Sequence, residues 1–156
     1  MESLITIVSL WLHTLATVLM LGHYLLLGLV YVPFFEQQTG GAPAAAALEK
    51  ISARFMPWVL ASFVVFIASG VYLMLVDPYY PGFGNIFANA WTILMSVKHL
   101  LVLALIGLGA WLNLALRRAA SGAAGAGSLG TVKFILNTFN AGGALVLLLT
   151  TIAQAQ

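Results

Sequence analysis

The chain has 156 residues, of which 62% are hydrophobic and only 6% are charged. Because soluble domains carry about 25% charged residues, this composition excludes a soluble globular protein and indicates one integral membrane domain. The sequence contains no cysteine, which excludes disulfides, thiolate metal sites and iron–sulfur clusters. Its net charge is +2, and its basic residues form no cluster of the kind that binds nucleic acid.

Four apolar segments predict four transmembrane helices, since about twenty apolar residues span a bilayer as a helix. Only helices or closed barrels can span lipid, and no strand pattern competes. We therefore predict an all-α membrane protein with a single domain over 1–156, an up-down bundle of four transmembrane helices with both termini outside. The helices are expected at about residues 4–32, 55–76, 91–116 and 132–152.

In chain order, the first segment has no charge but contains two histidines, and Pro33 closes it. An Ala-rich polar connection with a short helix at 44–52 leads to the second segment, which tolerates Pro57 in its first turn. The second and third segments are joined by an interfacial loop whose aromatic residues suit the headgroup level. These are Tyr79, Tyr80, Phe83, Phe87 and Trp91. A Gly/Ala/Ser linker precedes the fourth segment.

The placement of charge predicts the orientation. The connections after the first and third helices contain five of the six basic residues, whereas the opposite side has Glu2 and Asp77 and no Lys or Arg. By the positive-inside rule, the basic connections face the cytoplasm and both termini face out. We expect a bacterial cytoplasmic (inner) membrane. The five basic residues are Lys50, Arg54, Arg117, Arg118 and Lys133.

Two histidines are predicted to lie at one depth. With a rise of about 1.5 Å per residue, His13 lies about 13 Å below a start near Leu4, and His99 about 12 Å below a start near Trp91. A haem iron with two axial imidazoles needs them from opposing elements at one level, so His13 and His99 are predicted as ligands of a b-type haem. Because backbone carbonyls one turn earlier are used within the helices, we expect each second ring nitrogen to bond a side chain or water.

The alternative is that these histidines are neutral and hydrogen-bond across helices. His23 lies about 15 Å deeper than His13 and has no histidine at its level. It is expected either to bond Asn137 or Asn140 in the core, to ligate a second haem, or to serve a proton or quinone path.

Lys98, beside His99, is expected either to snorkel toward the interface or to pair with a haem propionate. Asp77 is its expected counter-charge if no cofactor is present. Thioether and imidazole groups also suit copper(I), although scattered methionines in membrane helices more often serve packing. The methionines considered are Met20, Met56, Met74 and Met95.

Short motifs in the first three predicted helices resemble the copper-resistance D (CopD) family. They are Trp11-Leu12-His13 with Gly22 and Pro33 in the first helix, Arg54-Phe55-Met56-Pro57 and Ala68-Ser69-Gly70 in the second, and Lys98, Leu100-Leu101-Val102-Leu103 and Asn113 in the third. The resemblance covers most of the chain and implies a CopD-like membrane protein, for which copper transport or handling is one alternative.

The same layout is similar to HemJ-type protoporphyrinogen oxidases, which are four-helix relatives of CopD and bind b haem. His13 matches the histidine in the first helix of those proteins, and Lys98 matches the lysine in their third helix. Those proteins carry an arginine and then a histidine after the proline of the first helix, where this chain has Phe34-Phe35-Glu36. The resemblance therefore implies haem binding more directly than oxidase activity.

We expect a cytochrome-like protein, similar to the CopD and HemJ proteins, that binds haem b. The number of haems is one, or two if His23 is also a ligand. The cofactor-binding residues are predicted to be His13, His99, His23 and Lys98, with the iron on His13 and His99. The chain is expected to transfer electrons within a larger membrane complex or a homo-oligomer, rather than to act as a stand-alone enzyme. The alternatives are copper transport or handling, a HemJ-like oxidase, and a cofactor-free accessory subunit.

Overall fold

A computed structural model describes residues 3–39, 41–82, 84–85, 87–122 and 128–154, the side chain of Gln154 excepted. It contains four helices, each long and apolar enough to cross a membrane, and the described residues form no strand. This confirms the predicted all-α membrane architecture. The helices are α1 (Leu4–Gln38), α2 (Gly41–Val76), α3 (Ala90–Ala120) and α4 (Leu129–Gln154). Glu2 and Phe83, used above for orientation and for the interfacial loop, lie outside the described residues.

α1 continues past Pro33, where the sequence predicts its end. A proline lacks the N–H that a helix needs, and its ring crowds the preceding turn. Here a π-helical turn, Leu27–Tyr31, comes just before the proline, and the Val32 N–H bonds the Leu27 carbonyl five residues back. The wider turn shifts the hydrogen-bond register by one residue, so the helix accommodates Pro33 and resumes as Val32–Gln38.

α2 begins at Gly41, so the predicted short helix at 44–52 and the second apolar segment form one helix that runs through Pro57. Alanine is the strongest helix former, and the early residues Ala44 and Leu48 are 0% exposed against the rest of the bundle. This packing holds the helix together across the hydrogen bond that Pro57 removes.

α3 has a defined start. Asn89 is its N-cap: its side-chain oxygen accepts from the Thr92 N–H at 2.8 Å, and the Asn89 N–H donates to the Thr92 hydroxyl at 3.2 Å. Such a reciprocal capping box satisfies two N–H groups that a helix start otherwise leaves free. It fixes the residue at which α3 begins and hence the register of the residues that follow.

The helices pack in sequence order, α1 on α2, α2 on α3 and α3 on α4, and α4 returns to α1. Consecutive helices are antiparallel, so the connections after α1 and α3 meet at one end of the bundle. We call this end, with Lys50, Arg54, Arg117, Arg118 and Lys133, the basic end. There the Lys133 ammonium bonds the Glu36 carboxylate at 2.6 Å, which joins α4 to α1.

The tightly packed core lies toward the basic end. Its members come from the second half of α1, the start of α2, the end of α3 and the start of α4. The largest fully buried side chains there are Leu27, Val32, Leu48, Ser52, Leu112, Leu116, Val132, Ile135 and Leu136. The opposite half contains His13 and His99 and includes none of these nine side chains, so the bundle is packed unequally along its length.

Candidate functional site

His13 lies on α1 against α2. Its Nδ1 is 3.1 Å from the Phe66 carbonyl oxygen and 3.1 Å from the Ser69 hydroxyl oxygen. Its ring stacks on Phe66, with centroids 4.3 Å apart and planes at 23°. Gly70 makes room for this ring, since a Cβ there would lie 3.0 Å from His13 Cε1.

These contacts settle which ring nitrogen of His13 carries the hydrogen. A carbonyl oxygen only accepts hydrogen bonds, and the Ser69 hydroxyl donates its own hydrogen to the Val65 carbonyl at 2.6 Å. Nδ1 is therefore the donor, and the neutral ring keeps its free lone pair on Nε2. An imidazole held in this way is oriented to offer Nε2 to a metal.

His99 has the same arrangement through a different partner. Its Nδ1 is 2.6 Å from the carbonyl oxygen of Met95, one turn earlier in α3, and its side chain is exposed on the bundle surface. The expectation that the ring nitrogen facing away from the haem would bond a side chain or water is thus wrong for His99, whose partner is a backbone carbonyl. For His13 it is right for one partner, the Ser69 hydroxyl, and wrong for the other, the Phe66 carbonyl. A helical carbonyl has two lone pairs, so it can serve the helix and the imidazole together.

His13 and His99 lie at the same level of the bundle. Ser52 of α2 donates to Asn113 of α3 at 3.2 Å, so these two residues are level. Phe66 lies fourteen residues after Ser52 along α2, and His99 lies fourteen residues before Asn113 along α3. Because antiparallel helices share one rise per residue, His99 is level with Phe66, on which His13 stacks. Lys98 and His99 are near enough to act electrostatically on His13.

Lys98 is half-buried within α3, one residue before His99. Asp77, its expected counter-charge without a cofactor, accepts a hydrogen bond from the Tyr79 N–H at 2.9 Å and caps its own turn. In the described part of the chain, the ion pair that forms is between Lys133 and Glu36 at the basic end. The Lys98 ammonium thus stands beside the histidine level without that carboxylate.

His23 lies apart from this level, on the same helix toward the basic end. Its side chain is 8% exposed, and its ring is 5.6 Å from that of Phe55 and 5.1 Å from that of Tyr24. Among the described residues nothing bonds its buried Nε2. Neither asparagine expected as its partner reaches it: Asn140 donates to the Tyr24 carbonyl at 3.5 Å, and Asn137 is exposed on α4.

The structure therefore places His13, His99 and Lys98 at about one level of the bundle, and His23 at another. Sequence reasoning did not identify Phe66, Ser69 and Gly70 as the residues that hold His13, although it named Ser69 and Gly70 in a family-like motif. The available signal was the run of small residues Ala68-Ser69-Gly70, which permits a large ring on a neighbouring helix. Over the described residues, no three His, Asp or Glu side chains come together as a metal-binding group.

A comparison with models of known protein families matches residues 49–153 to copper resistance protein D, CopD. The match contains Lys98 and His99 and leaves His13 and His23 outside it. Searches of curated proteins and of solved structures return no significant match. Because the family match spans well over half of a chain with four membrane-spanning helices, this integral membrane protein belongs to the CopD family.

Proposed function

We propose that this CopD-family protein binds a b-type haem in the membrane, whose iron His13 and His99 would hold, and passes electrons within a larger membrane assembly. We also propose that its basic end faces the cytoplasm of a bacterial inner membrane, because five of its six Lys and Arg residues lie there. In this orientation the two histidines lie in the outer half of the bilayer.

The observation that carries the proposal is the state of the two imidazoles. Each lies at the same level, and each has Nδ1 within hydrogen-bond distance of a carbonyl, at 3.1 Å for His13 and 2.6 Å for His99. Metal-binding histidines usually donate their other ring N–H to a carboxylate, carbonyl or water. Two free Nε2 atoms at one depth match the donor set of a six-coordinate haem.

Lys98 favours haem over a bare copper ion. Lys98 directly precedes His99 and is near enough to act electrostatically on His13, and like charges repel strongly in a medium of low dielectric constant. A cuprous ion held by two neutral imidazoles would keep its positive charge beside this lysine. A haem carries two propionates, and one of them would neutralise the Lys98 ammonium.

The residues present fit this cofactor by their chemistry. His13 and His99 would hold the iron, and the Phe66 ring, stacked 4.3 Å from that of His13, keeps the ligand in place and excludes water on the α2 side. When bound, the haem iron supplies the change of oxidation state that electron transfer needs. The exposed position of His99 leaves the outer side open to the cofactor edge or to a partner subunit.

The test is an absorption spectrum of the detergent-purified chain. We expect Soret and α bands in the reduced-minus-oxidised spectrum, and we expect His13→Ala and His99→Ala each to abolish the low-spin spectrum while His23→Ala, the control, leaves it largely unchanged. A colourless wild-type preparation from cells supplied with haem would refute the proposal. So would loss of the spectrum in His23→Ala alone.

Copper handling is the second candidate, and the family match favours it because that family is described by copper resistance. Imidazoles are suitable copper ligands. Metal analysis of the same preparation separates the two candidates. A colourless protein that retains about one copper ion per chain, and loses it in His13→Ala, would support copper; a coloured protein without copper would support haem.

A further inference from the structure

A cavity lies between α1 and α2, below the level of His13 and toward the basic end. Its volume is about 260 Å³. The wall is apolar apart from one imidazole, one phenol and one indole N–H. The lining includes Gly22, His23, Tyr31, Phe55, Trp58 and Val59.

The imidazole that lines this cavity has a buried nitrogen that the protein does not satisfy. His23 lines it and is 8% exposed, and the buried Nε2 has no hydrogen-bond partner among the described residues. A buried polar atom without a partner is costly, and natural proteins seldom keep one. A ligand in the cavity would satisfy it once the imidazole turns toward that ligand.

The backbone beside the cavity is also unusual. The π-helical turn of α1, Leu27–Tyr31, begins one residue after Leu26 and ends at Tyr31, and both of these residues line the cavity. Single π-helical turns inside α-helices occur frequently at functional sites. Here the turn accommodates Pro33 and also places Tyr31 in the cavity wall.

Size and wall chemistry limit what the ligand is. Pockets for drug-sized molecules have about 300–1,000 Å³, so 260 Å³ suits one substituted ring and is too small for a haem. Phe55, Trp58 and Tyr31 offer aromatic faces to a flat ring. The rim residues Val18, Leu19 and Trp58 are exposed on the bundle surface, at 61%, 49% and 69%, which leaves an apolar tail free to extend into lipid.

We propose that this cavity binds the ring of a lipid-soluble quinone, with a ring oxygen hydrogen-bonded to the imidazole of His23. A quinone carbonyl accepts from an imidazole N–H and a quinol hydroxyl donates to an unprotonated imidazole nitrogen, so the pair matches either imidazole tautomer. A lipid acyl chain would fill the space but would offer the imidazole no hydrogen bond. The proposal does not rest on haem binding, since His23 is separate from the His13 and His99 level.

The test measures binding of decylubiquinone to the full chain in lipid nanodiscs, followed by quenching of tryptophan emission. We expect saturable quenching that is largely lost in Trp58→Phe, because Trp58 lines the cavity. Gly22→Leu should fill the cavity and weaken binding at least tenfold. Gly107→Leu is the matched control, since a Cβ at either glycine meets nothing within 4 Å but Gly107 lies on α3, away from the cavity.

A second pair of variants tests the hydrogen bond alone. His23→Gln keeps a hydrogen-bonding group and should retain binding, whereas His23→Phe keeps the ring volume and should lose it. Equal binding by these two variants, or equal competition by decylbenzene, which has no ring oxygen, would refute the role of His23. Quenching that does not saturate, or that is the same in Gly22→Leu and Gly107→Leu, would refute the site. Loss of a haem spectrum in His23→Phe would assign His23 to the haem instead.

Discussion

At the scale of single residues, the histidine ring nitrogens decide what the bundle can bind. The common level of His13 and His99 could be predicted from the sequence, because helical rise is regular and both helices start from the same side. The partners of His13 could not, because Phe66 and Ser69 reach it across a helix–helix contact whose register depends on packing. The isolation of His23 from both asparagines has the same origin.

Ser69→Ala tests the hold on His13. The Ser69 hydroxyl is one of two acceptors for Nδ1, so its loss leaves the ring less firmly oriented while the Phe66 carbonyl remains. Loss of a group that orients a metal ligand typically lowers metal affinity about 10–100-fold, and with one acceptor kept we expect a decrease near the lower limit. The measurement is a haem titration followed at the Soret band.

Ser62→Ala is the matched control for this change. Both serines are on α2 and both are 7% exposed, but Ser62 has no hydrogen bond to His13 in the described structure. A similar loss of haem affinity in both variants would show that a buried hydroxyl on α2, rather than the bond to His13, is what matters.

Gly70→Ala should displace the His13 ring. The added Cβ would lie 3.0 Å from Cε1 and 3.4 Å from Nδ1 of His13, closer than most real Cβ contacts, so the ring must move. We expect a shifted or weakened low-spin spectrum with the helix content unchanged by circular dichroism. Gly107→Ala, where the new methyl group meets nothing within 4 Å, should leave the spectrum as it is; identical spectra for both variants would contradict the contact.

At the scale of helices, the apolar segments are visible in the sequence but their ends are not. Pro33 and Pro57 are typical helix breakers, and both lie inside helices here. In one case a π-helical turn absorbs the proline, and in the other the burial of Ala44 and Leu48 keeps the helix in place. Both effects depend on tertiary packing, which a reading of local preferences omits.

Asn89→Ala tests the start of α3. Losing an N-cap side chain costs about 0.5–2 kcal/mol, so we expect the free energy of unfolding to fall by about 1 kcal/mol, or the melting temperature by about 2–4 °C. The measurement is thermal unfolding of the detergent-solubilised protein. Asn85→Ala in the same loop is the control, because its amide makes only a 3.5 Å contact with the Pro81 carbonyl. Equal losses in the two variants would count against the cap.

At the scale of the whole molecule, the arrangement of charge predicts how the bundle sits in the membrane. The chain has no cysteine, so single cysteines can be introduced without background. In intact cells, a membrane-impermeant maleimide should label Pro81→Cys, and it should label Ser121→Cys only after the membrane is opened, because Ser121 lies at the basic end. The reverse pattern would invert the proposed orientation.

The unequal packing along the bundle has a consequence for how the protein matures. The largest fully buried side chains and the Glu36–Lys133 ion pair are at the basic end, so we expect that end to hold the four helices together by itself. If the histidine level binds the haem that we propose, it can then take up that group from the surrounding lipid after folding is complete. We expect an empty, folded pool in cells starved of the group, in which protease cuts near the basic end are no faster than in the loaded protein.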